Sequence, residues 1–157
     1  MRTVIGIDPS LTATGVAVYS DDWTWELDTI KPAKHVPRLV NLHDRLWSIL
    51  LRMHPEVAYI ESLPANAMSA GLTGQSQGVV RLALQRLDIP YCEFAPSTVK
   101  KAFTGSGKAS KDAMMDRCAQ LELEPEDDNQ ADAIGLVVTG LMMGELPVPK
   151  GGWRWGK

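Results

Sequence analysis

The sequence predicts an α/β domain: a five-stranded mixed sheet, part antiparallel meander and part parallel, with helices on both faces. Three observations carry that reading. Near the start, three short apolar or alternating runs follow one another with only tight turns between them. Beyond His35, short apolar runs alternate with stretches whose aliphatic residues recur at helical spacing. The 157 residues, 45% of them hydrophobic, suffice for one core and are cramped for two.

Each element has a local cause. Thr3–Asp8 is a short buried strand. A Pro-Ser-Leu-Thr turn joins it to a second, Ala13–Ser20, and Trp23–Ile30 alternates like a half-exposed third. Lys31–His35 is a Pro-containing linker. Val36–His54 is a helix, with Leu39, Leu42, Leu46, Ile49, Leu50 and Met53 on one face and Pro55 as its stop. Val57–Glu61 is a buried strand, and residues 62–73 are a loop rich in Ala, Ser, Asn and Gly. Gly74–Leu87 is a helix whose Gly74 and Gly78 permit close approach, either to the core or to a second subunit. Ile89–Ala95 is the fifth strand. Pro96 opens a short helix to Phe103, with Ser97 or Thr98 near its cap. The stretch from Thr104 to Ser110 is a flexible loop. Its Gly-Ser-Gly-Lys lacks the spacing of a nucleotide phosphate loop. Lys111–Leu121 is a helix capped by Ser110, and Asp128–Met143 is a long apolar helix starting in an acidic cluster. Residues 1–146 make the domain, and 147–157 form a polar Gly/Pro/Trp tail. Its Trp153, Arg154 and Trp155 are an aromatic stacking surface, cover for a neighbouring surface, or a loose end.

Composition narrows the function classes. No apolar run approaches the ~18 residues of a membrane span. Met1 leads straight into a strand without a charged region ahead of an apolar one, so no signal peptide and a cytoplasmic location are expected. Cys92 and Cys118 sit far apart in apolar segments and read as reduced core residues rather than a disulfide or metal pair. His35, His43 and His54 scatter around one helix and its flanks and suit surface roles. The net charge of −3 does not advertise a nucleic-acid partner. Local sorting does: Lys100, Lys101, Lys108, Lys111 and Arg117 precede a run holding Glu122, Glu124, Glu126, Asp127, Asp128 and Asp132. A segment that can grip a polyanion stands beside one that can bind a cation.

The acids point to chemistry. Asp8 and Glu61 each end an apolar strand. If those strands are parallel neighbours, both acids meet at the sheet end where open α/β sheets place their sites. Asp128 and Asp132 are i, i+4 on one helix face, and Asn129 is i−3 from Asp132. Each acid also has an ordinary role open to it: a turn for Asp8, a surface strand end for Glu61, a helix cap for Asp128. Asp132, between Ala131 and Ala133 in an apolar helix, is costly unless paired or ligating. Converging carboxylates without His or Cys select a hard cation, Mg2+ or Mn2+, and a cluster this size suits two ions about 3.5–4 Å apart. Phosphodiester hydrolysis is the reaction such a site serves.

The stretches "GIDPSLTATGVAV", "YIES", "VKKAFTGSGKASK" and "NQADAIGLV" resemble, in order and spacing, the RuvC family of Holliday junction resolvases, in a compact form closer to phage-type members. The resemblance spans residues 3 to about 144. It implies an RNase H-like fold, a homodimer, and Mg2+-dependent nicking of two opposed strands of a four-way DNA junction in recombination or repair. It places the family's acids on Asp8, Glu61 and Asp132, and its basic residues on Lys100 and Lys111, with Lys101 and Lys108 as further DNA contacts. The family's remaining ligand falls on Asn129, a departure. Asp128 is its substitute, and Asn129 keeps an amide oxygen for weak ligation. The loop after Glu61 also lacks the aromatic residue that many members carry there, which implies looser selectivity extending to forks and flaps. Two other readings stand beside this one: a sugar-kinase or actin-like ATPase, whose first phosphate loop "GIDPSLTATGVAV" also resembles, and a catalytically inactive protein that binds branched DNA.

Overall fold

The computed structural model describes residues 2–63 and 70–144. Ten elements follow in order: β1 (Thr3–Asp8), β2 (Thr14–Ser20), β3 (Trp25–Ile30), α1 (Arg38–Met53), β4 (Val57–Glu61), α2 (Ala70–Arg86), β5 (Tyr91–Phe94), α3 (Pro96–Thr104), α4 (Lys111–Gln120) and α5 (Asp128–Met143). The strands form one sheet in the order β3-β2-β1-β4-β5. β1, β2 and β3 are the antiparallel meander, while β4 and β5 join parallel to β1. The mixed sheet read from the sequence is therefore the one observed.

Alternation along the strands sorts side chains to two faces. Ile5, Ile7, Val16, Val18, Ala58 and Ile60 meet Leu42, Leu46, Ile49 and Leu50 of α1 and Val80, Ala83 and Leu84 of α2. Val4, Ala17, Val57 and Tyr59 face the other way, onto Val99 and Phe103 of α3, Met114 and Cys118 of α4, and the apolar body of α5. Asp8 lies an even number of residues from Val4, and Glu61 from Val57 and Tyr59. Both acids therefore belong to the face that carries α5.

Several boundaries differ from the sequence reading. α2 begins at Ala70, so the predicted loop yields its last residues to the helix. Glycine costs about 1 kcal/mol in a helix interior, a preference that tertiary context overrides. The N-cap of α3 is Ala95, with no side-chain cap; Pro96 fills the first turn, where a missing N–H costs nothing. The loop after α3 is a chain of hydrogen-bonded turns rather than a flexible run. Gly105 ends the helix at φ 90° with its N–H on the Lys101 carbonyl at 2.9 Å. Thr104 donates to the Lys100 carbonyl at 2.7 Å, and the Ala109 N–H reaches Ser106 O at 3.1 Å. Ser110 caps α4 as predicted, accepting from Ala113 N. Cys118 is buried and Cys92 partly so, and among the described residues no disulfide joins them. The aromatic-free stretch after Glu61 lies largely outside the described residues, as does the tail with Trp153, Arg154 and Trp155. Among the described residues no helix is long and apolar enough to cross a membrane.

Candidate active site

One row of residues crosses the whole sheet. Thr29 of β3 pairs with Gly15 of β2, and Gly15 with Asp8 of β1. Ile7 pairs with Ile60, which sets Asp8 beside Glu61, and Glu61 pairs with Phe94 of β5. The two strand-end acids thus stand on adjacent parallel strands, on the same face, at their carboxyl ends. Behind Glu61, the buried Gln77 of α2 donates from Nε2 to the Glu61 carbonyl oxygen and pins the end of β4.

α5 delivers the other acids because its backbone lies directly on the strands. A Cβ on Gly15 would overlap the Asn129 carbonyl, and one on Gly6 would overlap the Ala133 carbonyl and meet Val137 Cγ2 at 2.9 Å. That approach brings Asp132 and Asp128 into the field of Asp8. Burial raises the Asp8 carboxyl well above its ordinary range, helped by the charge of Glu61, a hydrogen bond shared with it, and then Asp132 and Asp128. Burial also raises Glu61, against the hydrogen bond from Asp8 and the charge of Lys100. Asp132 is pushed up to about 6, first by burial and then by Glu61, with Lys100 and Lys111 opposing. Cys118, buried near Asp132, has its thiol raised to about 11, which keeps it unreactive at neutral pH.

Asp128 behaves differently. The helix cap is its neighbour Asp127, whose carboxylate accepts from Gln130 N at 3.0 Å and from Thr29 Oγ1 at 2.8 Å. Asp128 is thereby released from the capping role open to it in the sequence. Lys111 Nζ stands 2.5 Å from its Oδ2, and that hydrogen bond holds the Asp128 carboxyl below its ordinary value. Asn129 turns its backbone carbonyl toward Gly15.

The structure therefore brings together Asp8, Glu61, Asp128, Asp132, Lys100 and Lys111. Lys101 and Lys108 are exposed on α3 and the turns after it. Among the described interactions neither acts on the acids. His43 stacks on Trp47 with ring centroids 5.4 Å apart, and His54 ends α1 in the left-handed region. Sequence reasoning missed Asp127, Gln77 and the two glycines under α5. Only Asp127 left a signal, as an acid three residues before Gln130 at a helix start.

Among the described residues no three acidic, His or Cys groups form a ready coordination shell. Asp8 and Glu61 hydrogen-bond each other, as two crowded carboxylates do by sharing a proton. The donor chemistry nevertheless fits a hard divalent cation. The donors are all carboxylate oxygens, and their mutual repulsion is what such a charge relieves.

Comparison with known proteins shows what the chain is similar to. The family model described as crossover junction endodeoxyribonuclease RuvC matches residues 4–140. A protein of that name from Anaeromyxobacter sp. (strain K) is 34% identical over 160 residues, covering 95% of this chain and 85% of its own. Its namesake from Thermomicrobium roseum is 32% identical over 146 residues, covering 86% and 90%. The structure of T. thermophilus RuvC in complex with Holliday junction substrate superposes with a TM-score of 0.75 at 25% identity, over 92% of this chain and 95% of that one. The fowlpox virus Holliday junction resolvase shares the fold at a TM-score of 0.56 and 12% identity, over 90% and 99%.

Proposed function

The chain belongs to the RuvC family of crossover junction endodeoxyribonucleases, and from that premise we propose that it resolves four-way DNA junctions at its carboxylate cluster. The observation that carries the site assignment is the parallel pairing of β1 with β4, which sets Asp8 beside Glu61 under Asp132. Enzymes of this family generally depend on a divalent metal ion. Asp8 and Asp132 would hold Mg2+ or Mn2+ between them, with Glu61 and Asp128 completing a two-ion set and Asn129 adding a weak amide oxygen. When bound, the ions supply Lewis-acid stabilisation of the phosphate and a nucleophile at neutral pH.

The chain's own side chains do the rest. Glu61 orients the attacking water, whose oxygen bonds to phosphorus as the opposite P–O bond breaks. Lys100, already close enough to act on Glu61 and Asp132, offsets charge on the phosphate as it builds. Lys111 does the same once the phosphate competes with Asp128 for it. Membership of the family displaces the ATPase reading, and the convergence of Asp8, Glu61 and Asp132 weighs against an inactive scaffold.

The proposal includes a homodimer acting in the cytoplasm, so that two sites face two opposed strands. α2 offers the pairing face: open space surrounds Gly71 and Gly78, and Leu72 and Leu82 are 61% and 50% exposed. The test is cleavage of a labelled four-way junction by the wild type and Asp8→Asn, in Mg2+ and in EDTA. The wild type should cut only with Mg2+. Asp8→Asn should lose at least about three orders of magnitude in rate, roughly 4 kcal/mol of barrier, while junction binding persists. Normal cutting by Asp8→Asn overturns the site assignment.

A further inference from the structure

The cations of this protein fall into two populations. Arg2, Arg45, Arg52, Arg81 and Lys111 each pair with a carboxylate. Arg86 lies over the Trp47 ring, and Arg117 donates to Phe103 O and Gln120. Among the described residues six further cations have no ion pair: Lys31, Lys34 and Arg38, and Lys100, Lys101 and Lys108. They form two groups of three, and the sheet decides where each group stands.

The row Thr29–Gly15–Asp8–Glu61–Phe94 ends at Thr29 on one edge and Phe94 on the other. The chain leaves β3 just past Thr29 into Lys31, Lys34 and Arg38. It leaves β5 just past Phe94 into α3 and Lys100, Lys101 and Lys108. Both groups therefore lie at the acidic end of the sheet, on opposite sides of Asp8 and Glu61. Four strand spacings of ~4.8 Å separate the two edges, roughly 19 Å in all.

Between Asp28 and Asp44 the chain has no acid, and Lys31, Lys34 and Arg38 are all exposed. The flanking acids are engaged elsewhere: Asp28 with Arg45 at 3.0 Å and Asp44 with His43 at 2.8 Å. The segment is also held in shape. Asn41 Nδ2 donates to the Lys31 carbonyl at 2.9 Å, the Val36 N–H reaches Ala33 O at 3.4 Å, and Pro32 and Pro37 restrict the backbone. Unpaired cations on a restrained segment need little ordering to grip a ligand.

We propose that Lys31, Lys34 and Arg38 form a second phosphate-binding surface, which holds the DNA backbone on the β3 side of the acids while the α3 lysines hold it on the other. This rests on the nuclease reading. It adds that DNA crosses the sheet end from edge to edge, gripped on both sides of the cut. Such grips on the backbone carry no base information and act through counterion release.

The experiment measures equilibrium binding of a four-way junction in EDTA across a salt series. It compares the wild type, the triple variant Lys31→Gln/Lys34→Gln/Arg38→Gln, and a control double variant Arg45→Gln/Arg52→Gln that removes ion-paired cations. Melting curves establish that each is folded. The triple variant should bind about ten-fold or more weakly at moderate salt. Its slope of log K against log salt should shrink by roughly 2–3, about one for each phosphate that is no longer neutralised. The control should keep the wild-type slope. A triple variant with wild-type affinity and slope overturns this surface, even where the wild type cuts the junction in Mg2+. Equal losses in the triple and control variants overturn it too, because net charge alone would then explain them. A wild type that neither binds nor cuts the junction overturns the nuclease reading as well.

Discussion

The two helical layers over the sheet are built by different rules. On one face α1 and α2 stand off the strands on branched side chains: Leu42, Leu46, Ile49 and Leu50 interdigitate with Ile5, Ile7, Val16 and Val18. On the other face α5 rests its backbone on Gly6 and Gly15, with Ala131 and Ala133 keeping the interface thin. The first layer buries aliphatic volume and supplies stability. The second buries Tyr59, Phe103 and Met114 too, but under α5 it gives up volume for proximity, because two helix carboxylates can reach two strand carboxylates only if the backbones nearly touch. Both faces bury a core, and only the α5 face also sets the geometry of the candidate site.

Gly15→Ala breaks the second rule and should have the largest effect. The new methyl would meet the Asn129 backbone, which cannot rotate away as a side chain can, so the first turn of α5 must lift. Asp128 rides on that turn and Asp132 on the start of the next. A displacement near 1 Å costs about 10²-fold in rate, so junction cleavage should fall at least that far while the folded protein still binds DNA. Cleavage within about three-fold of wild type would show that the close approach is not what positions the acids.

Leu46→Ala breaks the first rule. Leu46 is fully buried, with 0% exposure, between α1 and the strands. Its truncation should destabilise by about 2–5 kcal/mol in urea unfolding. Single-turnover cleavage, measured where both proteins are folded, should stay near wild type. A variant that keeps its stability but loses cleavage would reverse the division of labour between the faces.

The same contrast governs how much was legible in the sequence. The stabilising face was readable because Leu42, Leu46, Ile49 and Leu50 repeat at helical spacing over alternating strands. Asp8, Glu61 and Asp132 were readable because a carboxylate in apolar surroundings is an anomaly that demands a cause. Asp127 and Asp128 were not separable, since adjacent acids at a helix start compete for one capping role until the hydrogen bonds are seen. Gly6 and Gly15 carry no local signal; what they admit is a helix more than a hundred residues later in the chain. Lys31 and Lys34 read as a linker and Arg38 as the start of a helix, because their place beside the acids depends on pairing across three strands.

The smallest effect isolates the cost of crowding the acids on the α5 face. Asp132 has a folded pKa of about 6, above the ~3.9 of an unfolded aspartate. The folded state therefore binds the proton more tightly, and stability falls as pH rises through the window between those values. Below about pH 4 the carboxyl is neutral in both states and the penalty vanishes; above about pH 6 the penalty is complete. Asp132→Asn removes the ionisable group. In EDTA its melting temperature should match wild type near pH 4 and exceed it by roughly 2–8 °C at pH 7. Millimolar Mg2+ at pH 7 should narrow the gap by raising the wild type more than the variant, since a cation relieves repulsion that the variant has already shed. A gap independent of pH would mean that Asp132 acts on stability through packing alone, and the α5 face would then differ from the α1 face in shape but not in charge.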